Sequence, residues 1–171
     1  MIYYGWYTNY IGGNEKYMNS LHVKMNVSQG QFSRHVHGNA KTLGLLPGQP
    51  KILEYVEKHQ GCQQSEICEA WDLDKSTVSG LLNRMERDDL LRITKSTEDT
   101  RKKEIRLSDK GMERWSKMKQ YIEAMERTAL KDVNQEEFDI FISVLDRIYH
   151  NLKSEELESD KEQQNEEKME K

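Results

Sequence analysis

Nowhere in the 171 residues does an apolar stretch approach the roughly 20 residues that a membrane-spanning helix requires. The aromatic start, MIYYGWYTNYIGG, has neither the basic opening nor the continuous apolar run of a secretory signal, so the expected location is the cytoplasm, with no membrane partner. Also missing are a Gly-rich phosphate loop and a His-Glu-x-x-His pattern, and with them the strongest enzyme readings. The five histidines are scattered. Only His35 and His37 are close, and an i, i+2 pair faces different sides of a helix, so ordinary surface or half-buried histidines are favoured over a zinc sensor. Cysteine is scarce: Cys62 and Cys68 leave open a thiol pair that senses oxidants. Reactivity needs a low pKa and exposure, and nothing in the sequence indicates either, so buried inert thiols are the better reading. No enzyme, cofactor or metal is expected.

Net positive charge is lacking too, since the formal charge is −4, which on its face argues against a polyanionic ligand. The position of the charges removes that objection. Residues 154–171 hold eight acids and three bases, a net −5, leaving 23 Lys/Arg against 22 Asp/Glu elsewhere. A Glu- and Gln-rich terminus of this kind buries too little apolar surface to order itself, and reads as a solvated tail or a frayed extension of the last helix. The remaining 150 or so residues suit one domain of average size, and the modest apolar content suits a thin α-rich subunit that completes its core by dimerising.

The most informative stretch runs from Asp72 to Gly111. Asp74 is a helix N-cap; Lys75, Ser76 and Thr77 place donors on the first turn, where a helix end enters the major groove. Val78, Leu81, Leu82 and Met85 recur at i, i+3, i+4 and i+7 as the buried stripe. That leaves Lys75, Ser76, Thr77, Ser79, Gly80, Asn83 and Arg84 for the outer and flanking surfaces. Glycine costs roughly 1 kcal/mol inside a helix, so Gly80 is either a tolerated surface residue or a place where backbone approaches a phosphate or base. Asp89 suits a left-handed helix end. Leu90–Lys95 then alternates as a strand, Thr97–Lys102 forms a turn, and Ile105 and Leu107 bring a second strand back with Arg106 outward. From Arg92 to Arg106 there are six Lys/Arg against three Asp/Glu. Alone this is a solvated hairpin; directly after such a helix it reads as a minor-groove and phosphate contact.

These residues resemble the MarR family of bacterial winged-helix regulators. The resemblance rests on Asp99-Thr100-Arg101-Lys102, on Leu107-Ser108-Asp109-Lys110-Gly111, on Ser76-Thr77-Val78-Ser79 with Leu82 and Arg84, and on Leu43-Gly44-Leu45 with Gln49, and spans about residues 30–150. It departs from the pattern at Leu46, where a capping Thr is usual, at Pro50, where a large apolar residue is common, and at Asp89, which replaces glycine. The resemblance implies an obligate homodimer that binds double-stranded DNA, with Arg101 reaching into the minor groove and Asp99 holding Arg101 or shaping the turn. It also implies a small-molecule effector, often aromatic or amphipathic, bound between the dimer body and the winged lobes. Met112, Trp115, Phe32 and Val36 are suitable lining there and equally suitable as core, so no effector residues are assigned. Cys68 resembles the family's small inward alanine.

The fold class expected is mainly α with a small β-hairpin wing, a winged helix-turn-helix with a helical dimerisation body. Six helices are anticipated. The first is Ser28–Leu43, carrying Phe32, Val36, Ala40 and Leu43, with Glu15–Met25 either extending it or forming a separate turn. The second opens at Pro47, buries Ile52, Leu53 and Val56, and closes at Gly61. The support helix, Ser65–Trp71, turns Ile67, Ala70 and Trp71 inward, and a short Asp72-Leu73 turn leads to the recognition helix. Two long helices follow: one carries Met112, Trp115, Met118, Ile122, Met125 and Ala129, and the other, after the capping signal Asn134-x-x-Glu137, carries Phe138, Phe141, Ile142, Leu145, Ile148 and Leu152. Packing these stripes against a twofold partner buries them economically; an isolated coiled-coil stalk fits less well, because no heptad is sustained.

The organisation expected is an N-terminal arm or leader at 1–27, a helical dimerisation region at 28–45 and 108–153, a winged helix-turn-helix at 46–107, and an acidic tail at 154–171. The aromatic start is a dimer-clasping arm, a leader or an over-long beginning, and the sequence does not choose among them. The function expected is a DNA-binding transcriptional regulator, a ligand-responsive repressor that binds a pseudo-palindromic operator as a homodimer through Lys75, Ser76, Thr77, Ser79, Asn83, Arg84, Arg101 and Lys102. The competing reading is a winged-helix protein-interaction module without specific DNA binding.

Overall fold

Backbone chemistry sets the order of elements. The computed structural model describes residues 20–96 and 101–169, with side chains as far as residue 155. Residues 1–19 of the segment expected at 1–27 to be an N-terminal arm or leader, and the wing residue Asp99, lie outside the described residues. The elements are α1 (Leu21–Thr42), α2 (Gln49–Lys58), α3 (Gln64–Trp71), α4 (Lys75–Arg87), β1 (Leu91–Lys95), β2 (Lys103–Leu107), α5 (Asp109–Ala129) and α6 (Gln135–Met169). They form two compact units, Met1–Met125 and Glu126–Lys171. No helix among the described residues is long and apolar enough to cross a membrane.

Several boundaries differ from the sequence reading, each for a local reason. Helix α1 starts seven residues before Ser28, because the Ser20 hydroxyl oxygen accepts from Val23 N–H at 3.3 Å and caps it. Pro47 does not open α2: Gly48, at φ 84°, is its N-cap, and Pro50 sits in the first turn, where a missing N–H costs nothing. Nor does Gly61 close that helix, which ends at Lys58. Gly61, at φ 90°, instead donates its N–H to the Ile105 carbonyl at 2.9 Å, and Ile105 N–H returns to the Cys62 carbonyl at 2.9 Å. This bridge adds a short third edge to the hairpin. Helix α3 begins one residue early through a capping box between Gln63 and Glu66, and its Ala70 is exposed, not inward. Strand β1 starts at Leu91 because Leu90 N–H is taken by the Met85 carbonyl at the end of α4.

Helices α2, α3 and α4 pack with the hairpin and the first half of α5 around one core. Ile52, Leu53, Val56, Ile67, Val78 and Met85 are fully buried, and Leu81, Leu82, Leu91, Ile105, Leu107, Trp115 and Met118 close around them. The predicted stripe of α4 is thus wholly inward, and each of its four side chains contributes roughly 1.5–3 kcal/mol by leaving water. The hairpin pairs Leu91 with Leu107, Ile93 with Ile105 and Lys95 with Lys103 on one face, and Arg92 with Arg106 and Thr94 with Glu104 on the other.

In the second unit, the capping box read at Asn134 forms reciprocally: Glu137 N–H donates to Asn134 Oδ1 at 2.9 Å and Asn134 N–H to Glu137 Oε2 at 3.0 Å. Helix α6 then runs to Met169, so the acidic stretch continues it as helix. Phe138, Leu145 and Ile148 are half-buried, whereas Ile140, Phe141, Ile142 and Leu152 are exposed.

Candidate nucleic-acid interface

The first turn of α4 is built around one carboxylate. Asp74 accepts from Thr77 N–H at 2.7 Å and from the hydroxyls of both Ser76 and Thr77. Those bonds, led by the Ser76 and Thr77 hydroxyls, hold the Asp74 carboxyl well below the usual carboxylate range. The turn is also tied sideways, since Gln64 Nε2 of α3 donates to the Lys75 carbonyl at 2.8 Å. Lys75, Ser76, Thr77, Asn83 and Arg84 are exposed, as an interface requires, while Ser79 is half-buried on the flank. Arg84 folds back along its own helix, its Nε donating to the Gly80 carbonyl at 3.0 Å. The open surface at Gly80 is therefore partly occupied by the Arg84 guanidinium.

The wing is fixed to the far end of the same helix. Asp89 takes the left-handed conformation expected of it, at φ 57°. Its carbonyl accepts from the Ser108 hydroxyl at 2.6 Å, and that oxygen accepts in turn from Gly111 N–H at 2.9 Å. Ser108 N–H reaches the Leu90 carbonyl at 3.2 Å, and Lys110 Nζ binds the Asp88 carbonyl at 2.7 Å. The Leu107–Gly111 segment is thus a clamp between the hairpin's end and the end of α4. Neither this clamp nor the hydroxyl bonds to Asp74 follow from the sequence reading. The Asp-x-Ser-Thr spacing does carry a signal for the second, because hydroxyls two and three residues after an N-cap Asp lie within its reach.

On the hairpin, Arg92, Lys95, Arg101, Lys102, Lys103 and Arg106 are all exposed. Arg92 faces Arg106 and Lys95 faces Lys103, so like charges stand directly opposite one another in two pairs. Acids temper the first pair, with Glu104 2.9 Å from Arg106 and Asp109 3.9 Å from Arg92. Lys102 also closes the turn, its carbonyl accepting from Ser96 N–H at 2.9 Å.

The thiols lie elsewhere. Cys62 is buried in the core, and burial, followed by the nearby Glu66 charge, pushes its thiol up to about 11, the opposite of an activated nucleophile. Cys68 is half-buried against the same core. Among the described residues, no three His, Cys, Asp or Glu side chains cluster so as to hold a metal ion.

Residues 43–102 match the model of the MarR family. The matched span is roughly a third of the chain, and over it the chain is similar to that family. That span runs from the end of α1 to Lys102, and it contains α4, β1 and every interface residue read from the sequence. Curated relatives include a regulatory protein for the hcr operon of Thauera aromatica, 24% identical over 70% of both chains. Another is the repressor MdtR of Bacillus subtilis, 32% identical over 68 residues, which are 40% of this chain and 44% of that one. Among solved structures, S. aureus MepR in its DNA complex shares the fold at a TM-score of 0.74 and 22% identity, covering 82% of this chain and 99% of that one.

Proposed function

We propose that this chain is a MarR-family transcriptional regulator that binds duplex DNA as a homodimer and acts as a ligand-responsive repressor at a pseudo-palindromic operator in the cytoplasm. One observation carries the reading: the hydroxyl- and base-bearing outer face of α4 and a hairpin edged with like-charged cross-strand pairs are fastened together by the Ser108 clamp in one unit. A rigid pair of this kind suits a helix in the major groove and a wing along the adjacent backbone or minor groove. In that reading Lys75, Ser76, Thr77, Asn83 and Arg84 approach base edges and phosphates, Ser79 supports them from the flank, and Arg101 and Lys102 supply the wing contact with Asp99 shaping its tip. The spare charge of the Arg and Lys pairs is then neutralised by phosphates.

The homodimer reading rests on apolar side chains left in solvent. Leu21, Met25, Val27 and Phe32 of α1 are exposed, as are Ile140, Phe141, Ile142, Val144 and Leu152 of α6, and large apolar side chains grouped in this way suit an association surface. Helix α1, the later part of α5 and α6 form the proposed dimerisation region, and 46–107 the DNA-binding region. Repression is proposed by analogy with the B. subtilis relative, and an effector by analogy with the family. The test is selection of bound fragments from the source genome with the purified full chain. Recovery of fragments sharing a twofold-symmetric sequence supports the reading; recovery of none overturns it.

A further inference from the structure

We infer that the Ser76 and Thr77 hydroxyls in the first turn of α4 read base edges by accepting hydrogen bonds, and so favour the amine-bearing bases adenine and cytosine over guanine and thymine on the strand they face. The inference rests on the DNA-binding reading and specifies what its major-groove residues recognise. A carboxylate only accepts, so the hydroxyl protons of Ser76 and Thr77 both point at Asp74. A hydroxyl has one proton. Once it is committed, the side chain offers a partner nothing but oxygen lone pairs, although Ser and Thr in isolation are counted as donors or acceptors alike. Asp74 stays ionised under these bonds, and its oxygens too can only accept.

Both hydroxyls are exposed, and the Gln64 bond to the Lys75 carbonyl fixes the turn against α3. In the major groove, adenine N6 and cytosine N4 carry donors, whereas guanine O6 and N7 and thymine O4 are acceptors. The two hydroxyls, limited to accepting, therefore discriminate amine from carbonyl while remaining blind to purine against pyrimidine; Lys75 beside them is left for phosphate. Asp74 is the positioning residue in this scheme: it sets the direction of protons on side chains that make the contact.

Selection from a random duplex library with the full-length chain tests this. Ser76→Ala and Thr77→Val mark the positions at issue, being those where preference relaxes when a hydroxyl is lost. The wild type is expected to select adenine or cytosine there. Asp74→Asn keeps an N-cap of equal strength, but its amide nitrogen donates, which turns one hydroxyl proton outward. The preference at the corresponding position should then move to guanine or thymine, a change that loss of a merely structural cap would not produce. In a second measurement, which needs no variant protein, deleting the exocyclic amine of the marked base, with purine in place of adenine or 2-pyrimidinone in place of cytosine, should weaken wild-type binding by roughly 3- to 10-fold, the worth of one hydrogen bond. Guanine or thymine at the marked positions of the wild-type motif, or no loss on amine deletion, overturns the inference while leaving DNA binding intact. A wild type that selects no motif overturns the DNA-binding reading itself, and this inference with it.

Discussion

Gly111, in the first turn of α5, lies against the carbonyl of Leu90 so closely that a Cβ would collide with its oxygen. That oxygen already accepts from Ser108 N–H, and it belongs to the residue that follows the left-handed Asp89, so it has no direction in which to yield. The glycine is a packing requirement: it lets the start of α5 meet the junction between α4 and β1.

Gly111→Ala is therefore expected to destabilise the fold by about 1–3 kcal/mol, the usual range for forcing atoms into a filled site. Denaturant unfolding followed by circular dichroism measures it. An unchanged midpoint would mean that the junction is soft and that the clamp does not fix the wing.

Gly80 provides the opposite case. A Cβ there meets only the Arg84 guanidinium, at an ordinary 3.7 Å. Gly80→Ala should stabilise the protein by about 0.5–1 kcal/mol through helix propensity alone. The same protein should be titrated with operator DNA, since weaker binding by a more stable fold would assign the glycine to close backbone approach.

How much of the fold is legible in the sequence depends on the range of the interaction. Val78, Leu81, Leu82 and Met85 declare an inward stripe by spacing alone, and Asp74, Asn134 and Asp89 declare caps and a helix end by their type. Such signals lie within one or two turns of chain. What escapes is set by contacts distant in sequence: Gly61 pairs with Ile105, Lys110 with the Asp88 carbonyl, and Gly111 sits beneath Leu90. Gly61 misleads for that reason, because a glycine after a helix signals an end locally while its actual partner lies on β2. At the site, exposure of Lys75 and Arg84 follows from periodicity, but the direction of the Ser76 and Thr77 protons depends on side-chain geometry that a pattern of residue types does not encode.

Cys62 makes the stability pH-dependent in the alkaline range. Its folded thiol sits at about 11, above the 9.0 of an ordinary thiol, so from about pH 9 upward the unfolded chain releases the proton first and the folded state loses ground until about pH 11. Below that window the group contributes no slope. Urea midpoints of the wild type should therefore fall more between pH 9 and 11 than those of Cys62→Ala, and equal slopes would remove Cys62 as the cause. Alkylation of Cys62 at neutral pH should likewise be slow until the chain unfolds.

The wing makes a prediction about salt. If Arg101 meets a phosphate or the minor groove in each subunit, Arg101→Ala should weaken operator binding while leaving the molecular mass in solution unchanged. The logarithm of affinity should also fall less steeply with the logarithm of salt, by about 0.9 for each phosphate that the variant no longer neutralises. A titration series at several salt concentrations reads both effects together. Unchanged affinity and slope would take the wing out of the interface.

The exposed apolar face of α6 leads to the remaining prediction, which joins assembly to DNA geometry. Phe141, Ile142 and Leu152 lie along one apolar stripe of the helix and all three are exposed, so the stripe calls for a covering surface. A twofold partner supplies one that is self-complementary. The full chain should therefore sediment as a dimer at micromolar concentration, and Phe141→Asp should shift it to monomer, because a charge would enter an unpaired buried site. Pairing also spaces the two copies of α4. Operator half-sites about one helical turn apart should bind tightly, and inserting roughly half a turn between them should weaken wild-type binding sharply, because the second α4 then meets the wrong face of the duplex. The Phe141→Asp monomer, with one α4 per molecule, should bind both spacings alike and more weakly. A wild type that sediments as a monomer, or a dimer indifferent to the insertion, would separate the apolar face from DNA reading and leave its occupant to be sought in a different protein.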